Sequence, residues 1–209
     1  MCRTFKVRHI FLYMKIKTLE NKRAKLLTLE SYHYRDLLPL SSQVDLNAYG
    51  GSDISTGPKL KKYIKDAITR RQAGTALPFI IFDKELCKFA GSTRFGNIDK
   101  VNKVVHIGWT WLGEDFRGSG LNQHIKFLML RYAFEKLSYE RVEFRIDERN
   151  TRSRKAVEKL GATLEGILRK DIITKNGRRR NSCCYSILRD EWEDIKNTRF
   201  VEVLNRSEE

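Results

Sequence analysis

A glycine-bearing hexapeptide, Arg117-Gly118-Ser119-Gly120-Leu121-Asn122, separates two runs of opposite character. Residues 104–112 read as a strand. The run that follows places Leu121, Ile125, Leu128, Met129, Tyr132 and Leu137 on one helical stripe. A strand that turns through glycines into a helix fixes a local topology and a chemistry together. The first helical amides have no partner within the helix, and the helix dipole adds partial positive charge to them. Glycines let a ligand approach the backbone closely, and Arg117 adds a charge suited to phosphate. The segment is therefore expected to hold a phosphorylated ligand, with ~0.3–2 kcal/mol from the dipole alone. The competing reading is that the two glycines serve only close packing at the turn.

The flanking pattern extends this unit into an α/β domain. Residues 24–29 read as a short strand, and Ser31 as the N-cap of a helix through Tyr34, Leu37 and Leu38. A glycine-containing loop at 47–58 precedes a second helix carrying Leu60, Tyr63, Ile64, Ala67 and Ile68, which Gly74 ends. Residues 78–82 and 86–95 read as strands joined by a turn, with a further turn at 97–102 before the strand at 104–112. After the long helix, Val142, Phe144 and Ile146 alternate as in a half-buried strand. Asn150 or Thr151 can cap the next helix, which runs through Ala156, Val157 and Leu160 to Gly161. Two last strands, 164–174 and 181–188, flank the hairpin signal Asn176-Gly177, and residues 189–195 form a closing helical turn. The expected fold is one mixed sheet of about six to seven strands flanked by helices, over residues 22–196. Residues 1–21 are read as an N-terminal extension and 197–209 as a C-terminal tail.

The 209 residues suffice for one sizeable core, and a 41% hydrophobic content is ordinary for a globular chain. No apolar run approaches the ~18 residues a membrane span needs. The start is basic, but its apolar stretch Ile10-Phe11-Leu12-Tyr13-Met14 is short and lacks a small-residue cleavage site. A cytoplasmic protein is expected, with residues 1–13 either an extension or a product of start-codon choice. Cys2, Cys87, Cys183 and Cys184 have no metal-ligand spacing, and the four histidines are scattered, so no metal is expected. The net charge of +15 gathers at 59–65, 149–155 and 169–180. Such a field attracts polyanions or acidic partners, although most of these charges are expected to be solvated.

The ordered set of motifs resembles the GNAT acyl-CoA N-acyltransferases, in particular their RimJ/RimL branch of ribosomal-protein N-terminal acetyltransferases. The match is carried by Ile107-Gly108-Trp109-Thr110-Trp111-Leu112, by the Arg117 to Asn122 loop, by Asn150-Thr151-Arg152-Ser153 with Lys159-Leu160-Gly161-Ala162, and by Glu165-Gly166-Ile167-Leu168-Arg169. The resemblance implies acetyl-CoA as co-substrate and a primary amine acceptor, a protein N-terminus or a small molecule, with ribosome association allowed. It places the pyrophosphate on the amides of Arg117, Gly118, Ser119, Gly120, Leu121 and Asn122. The pantetheine arm would pair with strand backbone that opens after Trp111 and Leu112, within reach of Asn150 and Ser153.

In this family the amine attacks the thioester directly, so Cys183 and Cys184 are read as strand residues. The attacking amine must be neutral. An α-amine has a pKa of about 7.7–8.0 and a lysine about 10.4, so an enzyme without a strong base favours α-amines. A backbone amide near Trp109 to Trp111 would steady the carbonyl oxygen. The position matching the family's tyrosine acid is Val157, which leaves Ser153 as the expected donor to the sulfur; its alternative is a helix-capping serine. His106 stands where the branch carries glutamate and is the expected base, the alternative being a hydrogen-bonded half-buried histidine. Glu143 and Asp147 are weaker candidates. Strand alternation places His106, Gly108 and Thr110 on one face and Ile107, Trp109 and Trp111 on the other. Two rival functions stand beside protein acetylation. One is acetylation of an aminoglycoside or polyamine. The other is an inactive RNA- or ribosome-binding protein, favoured by Arg178-Arg179-Arg180.

Overall fold

The computed structural model describes residues 18–43, 49, 52–174 and 177–205. The extension through residue 17, part of the expected 47–58 loop and Asn176 lie outside them. Eight strands form one mixed sheet in the order β1-β2-β3-β4-β5-β6-β8-β7. They are β1 (Leu19–Glu20), β2 (Ala24–Thr28), β3 (Leu77–Asp83), β4 (Lys88–Asp99), β5 (Val104–Leu112), β6 (Arg141–Asp147), β7 (Thr163–Ile173) and β8 (Arg179–Leu188). Every pairing is antiparallel except β5 with β6. The helices are α1 (Tyr34–Ser41), α2 (Gly57–Gln72), α3 (Leu121–Arg131), α4 (Thr151–Lys159), α5 (Trp192–Arg199) and α6 (Val201–Asn205).

Both sheet faces are covered, and alternation along β3 shows how. Phe79 and Ile81 join the core under α3, while Ile80 joins the core under α1 and α2. The second core takes Leu37 from α1 and Leu60, Tyr63, Ile64 and Ala67 from α2, the residues whose helical spacing the sequence displays.

Three expectations need correction. The sheet has eight strands, because Leu19–Glu20 pairs with β2 and Leu19 is buried in the core. The two-residue strand is too short to carry an alternating signal. Glu30 rather than Ser31 precedes the first helical turn, and its backbone amide donates to His33 Nδ1 at 3.0 Å. The third concerns α3, which buries nearly all its sides rather than one stripe. Its outer side is covered by α5 and α6, where Trp192 and Phe200 pack on Phe127 at ring distances of 6.2 and 5.3 Å. Phe200 and Val203, placed in the expected tail, are core residues. The long helix also ends early as an α-helix: Tyr132–Lys136 form a π-turn, closed by the Leu137 amide donating to the Tyr132 carbonyl.

Candidate active site

The site is set by where β5 and β6 stop pairing. Their parallel ladder covers only Val104 to His106 against Arg141 to Glu143. Beyond it the two strands run on without pairing each other, so Ile107 to Leu112 have no β6 partner on that side. The opening therefore begins earlier than the expected point after Trp111 and Leu112.

A bulge coincides with the opening. β4 pairs Arg94 with Gly108 and Ser92 with Trp111, so one residue of β4 faces two of β5, Trp109 and Thr110. Trp109 adopts φ +50°, a left-handed conformation costly for a bulky side chain. The bulge reverses the alternation expected from sequence. Thr110 turns toward α3, where its Oγ1 accepts from Lys126 Nζ and pairs with Thr93 Oγ1, both at 2.7 Å. Trp109 and Trp111 lie on the opposite, α2-side core. His106 lies edge-on to Trp109 at 5.5 Å, so His106 shares that side with the tryptophans rather than with Thr110. The Tyr63 hydroxyl from α2 lies 3.3 Å from Ser92 Oγ and donates to the Trp109 carbonyl at 3.4 Å, tying α2 to the bulge. Gly96 and Gly108 leave the room this requires. A Cβ at Gly96 would lie 2.3 Å from the Trp109 ring, and one at Gly108 would lie 2.4 Å from His106 Nε2.

The glycine loop lies open at the end of β5. Gly118 and Gly120 adopt φ +73° and +83°, and a Cβ on either would meet nothing within 4 Å. Both glycines and Ser119 between them are exposed, and Gly120 is the N-cap of α3. Ser119 Oγ donates to the Phe116 carbonyl at 2.9 Å and accepts from the Leu121 amide at 3.4 Å, which holds the turn. Arg117 Nε donates to the Leu112 carbonyl at 3.2 Å, while its buried Nη2 has no hydrogen bond. An open turn, a helix N-terminus and an unsatisfied guanidinium nitrogen together fit an anion such as a diphosphate.

Asn150 caps α4. Its Oδ1 accepts the Ser153 amide at 3.1 Å, which resolves the Asn150-or-Thr151 alternative. Ser153 is half-buried in the first turn of α4, which follows the end of β6 after residues 148–150. Val157 is buried in the core and brings no proton donor. Glu143 accepts from Arg141 Nε at 3.0 Å, and Asp147 accepts the Arg149 amide at 3.0 Å and pairs with Arg178. Both carboxylates are thus engaged elsewhere.

His106 is 7% exposed and its Nδ1 makes no hydrogen bond. Burial pushes its pKa down to about 4, helped by the nearby Arg145, Lys126 and Arg180. The ring is therefore neutral at pH 7. The unfolded ring takes up a proton near pH 6.5 and the folded one only near 4, so stability is fully present above pH 6.5 and falls as pH drops through 4. We predict a loss of about 3 kcal/mol across that window, at 1.36 kcal/mol per unit. Urea titrations at pH 7 and pH 4 of the parent and His106→Asn should show this loss in the parent and a smaller one in the variant. Equal losses would remove His106 as its source.

Two polar residues of the site have no place among the sequence-derived candidates. Lys126 on α3 is 5% exposed, and burial pushes its pKa down to about 7. Arg94 on β4 is 3% exposed and lies over the rings of Tyr63 and Trp109 at 4.7 and 4.9 Å. A charged residue between Thr93 and Phe95, inside a strand-like run, is the one signal that pointed to the latter. Among the described residues no cluster of three or more His, Cys, Asp or Glu side chains is placed to hold a metal.

Known proteins resemble this chain in sequence and fold. The sequence is 33% identical over 117 residues to the protein named "Putative ribosomal N-acetyltransferase YdaF" of Bacillus subtilis (strain 168). That match covers 56% of this chain and 61% of the relative, less than two thirds of its length. The fold superposes on a GCN5-related N-acetyltransferase from Brucella melitensis with a TM-score of 0.79 and 28% identity, covering 87% of this chain and 82% of that one. It also superposes on the microcin C7 self-immunity acetyltransferase MccE, solved in complex with acetyl-CoA and AMP, with a TM-score of 0.71 and 25% identity over 80% and 93% of the two chains. The acetyltransferase (GNAT) domain family matches residues 23–163, a stretch that takes in the glycine loop, the β5–β6 opening and the Asn150 cap. With well over half its length matched, the chain belongs to the GNAT acetyltransferase family.

Proposed function

We propose that this chain transfers the acetyl group of acetyl-CoA to a primary amine, with a protein N-terminal α-amine as the acceptor class its chemistry favours. The observation that carries the reading is the open glycine loop at the N-terminus of α3, set beside β5 backbone that β6 leaves unpaired. Membership of the family supports it, as does the complex of MccE with acetyl-CoA.

Acetyl-CoA supplies the acyl group as a thioester. In the proposed arrangement the amides of Gly118 to Asn122 and the guanidinium of Arg117 hold its diphosphate, and Ile107 to Leu112 align the arm that follows. The amine nitrogen forms a bond to the acyl carbon as the carbon–sulfur bond breaks. The nitrogen sheds a proton to solvent, and the departing thiolate takes one up. Ser153 is the proposed donor at the sulfur, with Asn150 fixing the helical turn that presents it. His106 is proposed to accept a hydrogen bond from the amine or a water, not to remove its proton outright. Moving a proton from an α-ammonium of pKa about 8 to a ring of pKa about 4 would cost about 5 kcal/mol. The acceptor therefore has to arrive neutral, which favours α-amines over lysine side chains.

Ser153→Ala is expected to lower kcat by about tenfold with little change in KM, read as thiol release from acetyl-CoA. Equal turnover by variant and parent would remove Ser153 from the mechanism. Release with N-terminal peptides above the hydrolysis background would support the acceptor class, and release confined to polyamines or aminoglycosides would replace it. The RNA-binding alternative loses support from Arg178 and Arg180, which are engaged by Asp147 and by Ser182 Oγ.

A further inference from the structure

We propose that the acceptor carries a carboxylate near its amine and that Arg94 receives it. This deepens the acyl-transfer reading and rests on it for the location of the acceptor. Arg94 sits on β4 directly opposite Gly108, at the edge of the bulge. Its Nε and Nη2 are both buried and make no hydrogen bond among the described residues. These two nitrogens form the side-on fork that matches the two oxygens of a carboxylate. Arg23 of this same chain shows the fork in use, with Nε and Nη2 donating to the two oxygens of Asp83 at 2.9 and 3.0 Å.

A buried guanidinium with no counter-ion is costly, and a purely structural arginine in a core is normally paired. The rings of Tyr63 and Trp109 steady the cation but satisfy none of its N–H groups. Trp109 in turn is held by its bulge, by Gly96 beneath its ring and by Tyr63 at its carbonyl. The cluster is thus built in place around Arg94 rather than left over from packing. It adjoins Gly108, Trp109 and Thr110, all partly exposed at the β5–β6 opening.

The charges that act on neighbouring His106 are those of Arg145, Lys126 and Arg180, with Asp147 and Asp171 acting in turn on Arg180. These cations favour an amine bearing a carboxylate over a polycationic acceptor. Such a carboxylate has two sources, an acidic side chain next to a peptide N-terminus or the terminal carboxylate of a small amino compound.

Two matched pairs separate them: Ser-Asp-Gly-amide against Ser-Asn-Gly-amide, and the dipeptide Ala-Gly against its amide. Each is tested in the parent, Arg94→Met and Arg94→Lys, with CoA calorimetry and circular dichroism to establish that each variant is folded. We expect kcat/KM for the acidic member of at least one pair to exceed its amide by ~10- to 100-fold. That ratio should collapse toward one in Arg94→Met and be partly kept in Arg94→Lys. The first pair identifies a peptide acid and the second a small-molecule acid. A second readout needs no turnover: tryptophan fluorescence of the CoA-bound protein, sensitive to Trp109, should titrate with the acidic member and not with its amide. Loss of all turnover with that titration intact would overturn the acyl-transfer reading and keep the anion site. Equal rates and equal titrations for acid and amide in both pairs would overturn the proposal.

Discussion

Replacing Gly120 with valine should weaken CoA binding by about 100-fold while leaving the domain folded. Gly120 holds φ +83° at the N-cap of α3, a conformation that costs an L-residue roughly 1–2 kcal/mol. The left-handed turn aims the following amides outward, so a substituted loop either bears that strain or rotates its amides away. Charge-assisted hydrogen bonds are worth about 1.5–3 kcal/mol each and the dipole adds up to ~2 kcal/mol, so losing one amide and part of the dipole accounts for the expected factor. The fold itself is expected to lose no more than a few degrees of Tm, because nothing lies within 4 Å of the new Cβ. Calorimetry with CoA, paired with a thermal melt, reads both quantities. Unchanged affinity in the folded variant would show that the ligand binds elsewhere.

Lys126→Met should make the protein more stable at pH 7 and less active. The amine is buried with its pKa pushed down to about 7, against 10.5 when exposed. Between those values the unfolded chain holds a proton that the folded chain has released, so stability rises with pH across this window. Below pH 7 the burial penalty is present in full. At 1.36 kcal/mol per unit it reaches up to about 5 kcal/mol, offset in part by the 2.7 Å bond to Thr110. Methionine fills similar volume without that penalty, and buried charges replaced in this way gain about 1–4 kcal/mol. Urea denaturation at pH 7 should move to higher midpoint, and the rise in stability toward pH 10 should flatten. Turnover should fall, because Thr110 loses the donor that holds its side of the bulge. A variant with the parent's stability and the parent's pH slope would mean that the amine is solvated, not buried.

Much of this architecture is legible in the sequence because its strongest signals are local. The glycines at 118 and 120 announce left-handed turns, and both occupy them. Asn150 and Thr151 ahead of a helical pattern announce a cap, and Asn150 is the one that forms it. The bulge at Trp109 and Thr110 was hidden for the opposite reason. A period of two assumes an unbroken strand, and one extra residue transfers every later side chain to the other face. The interior position of α3 was hidden too, since α5 and α6 become its cover only through contacts between segments far apart in sequence. Lys126 and Arg94 share that difficulty. Burial of a charged side chain follows from which elements close over it; the neighbours of Lys126 carry none of that information, and those of Arg94 only the hint of a charge inside a strand-like run.

Amide hydrogen exchange with and without CoA reads the proposed binding surface itself. Added protection is expected at residues 107–112 and 117–122, with strands β7 and β8 unchanged. Saturating CoA that leaves both segments exchanging as in the free protein would contradict that binding surface.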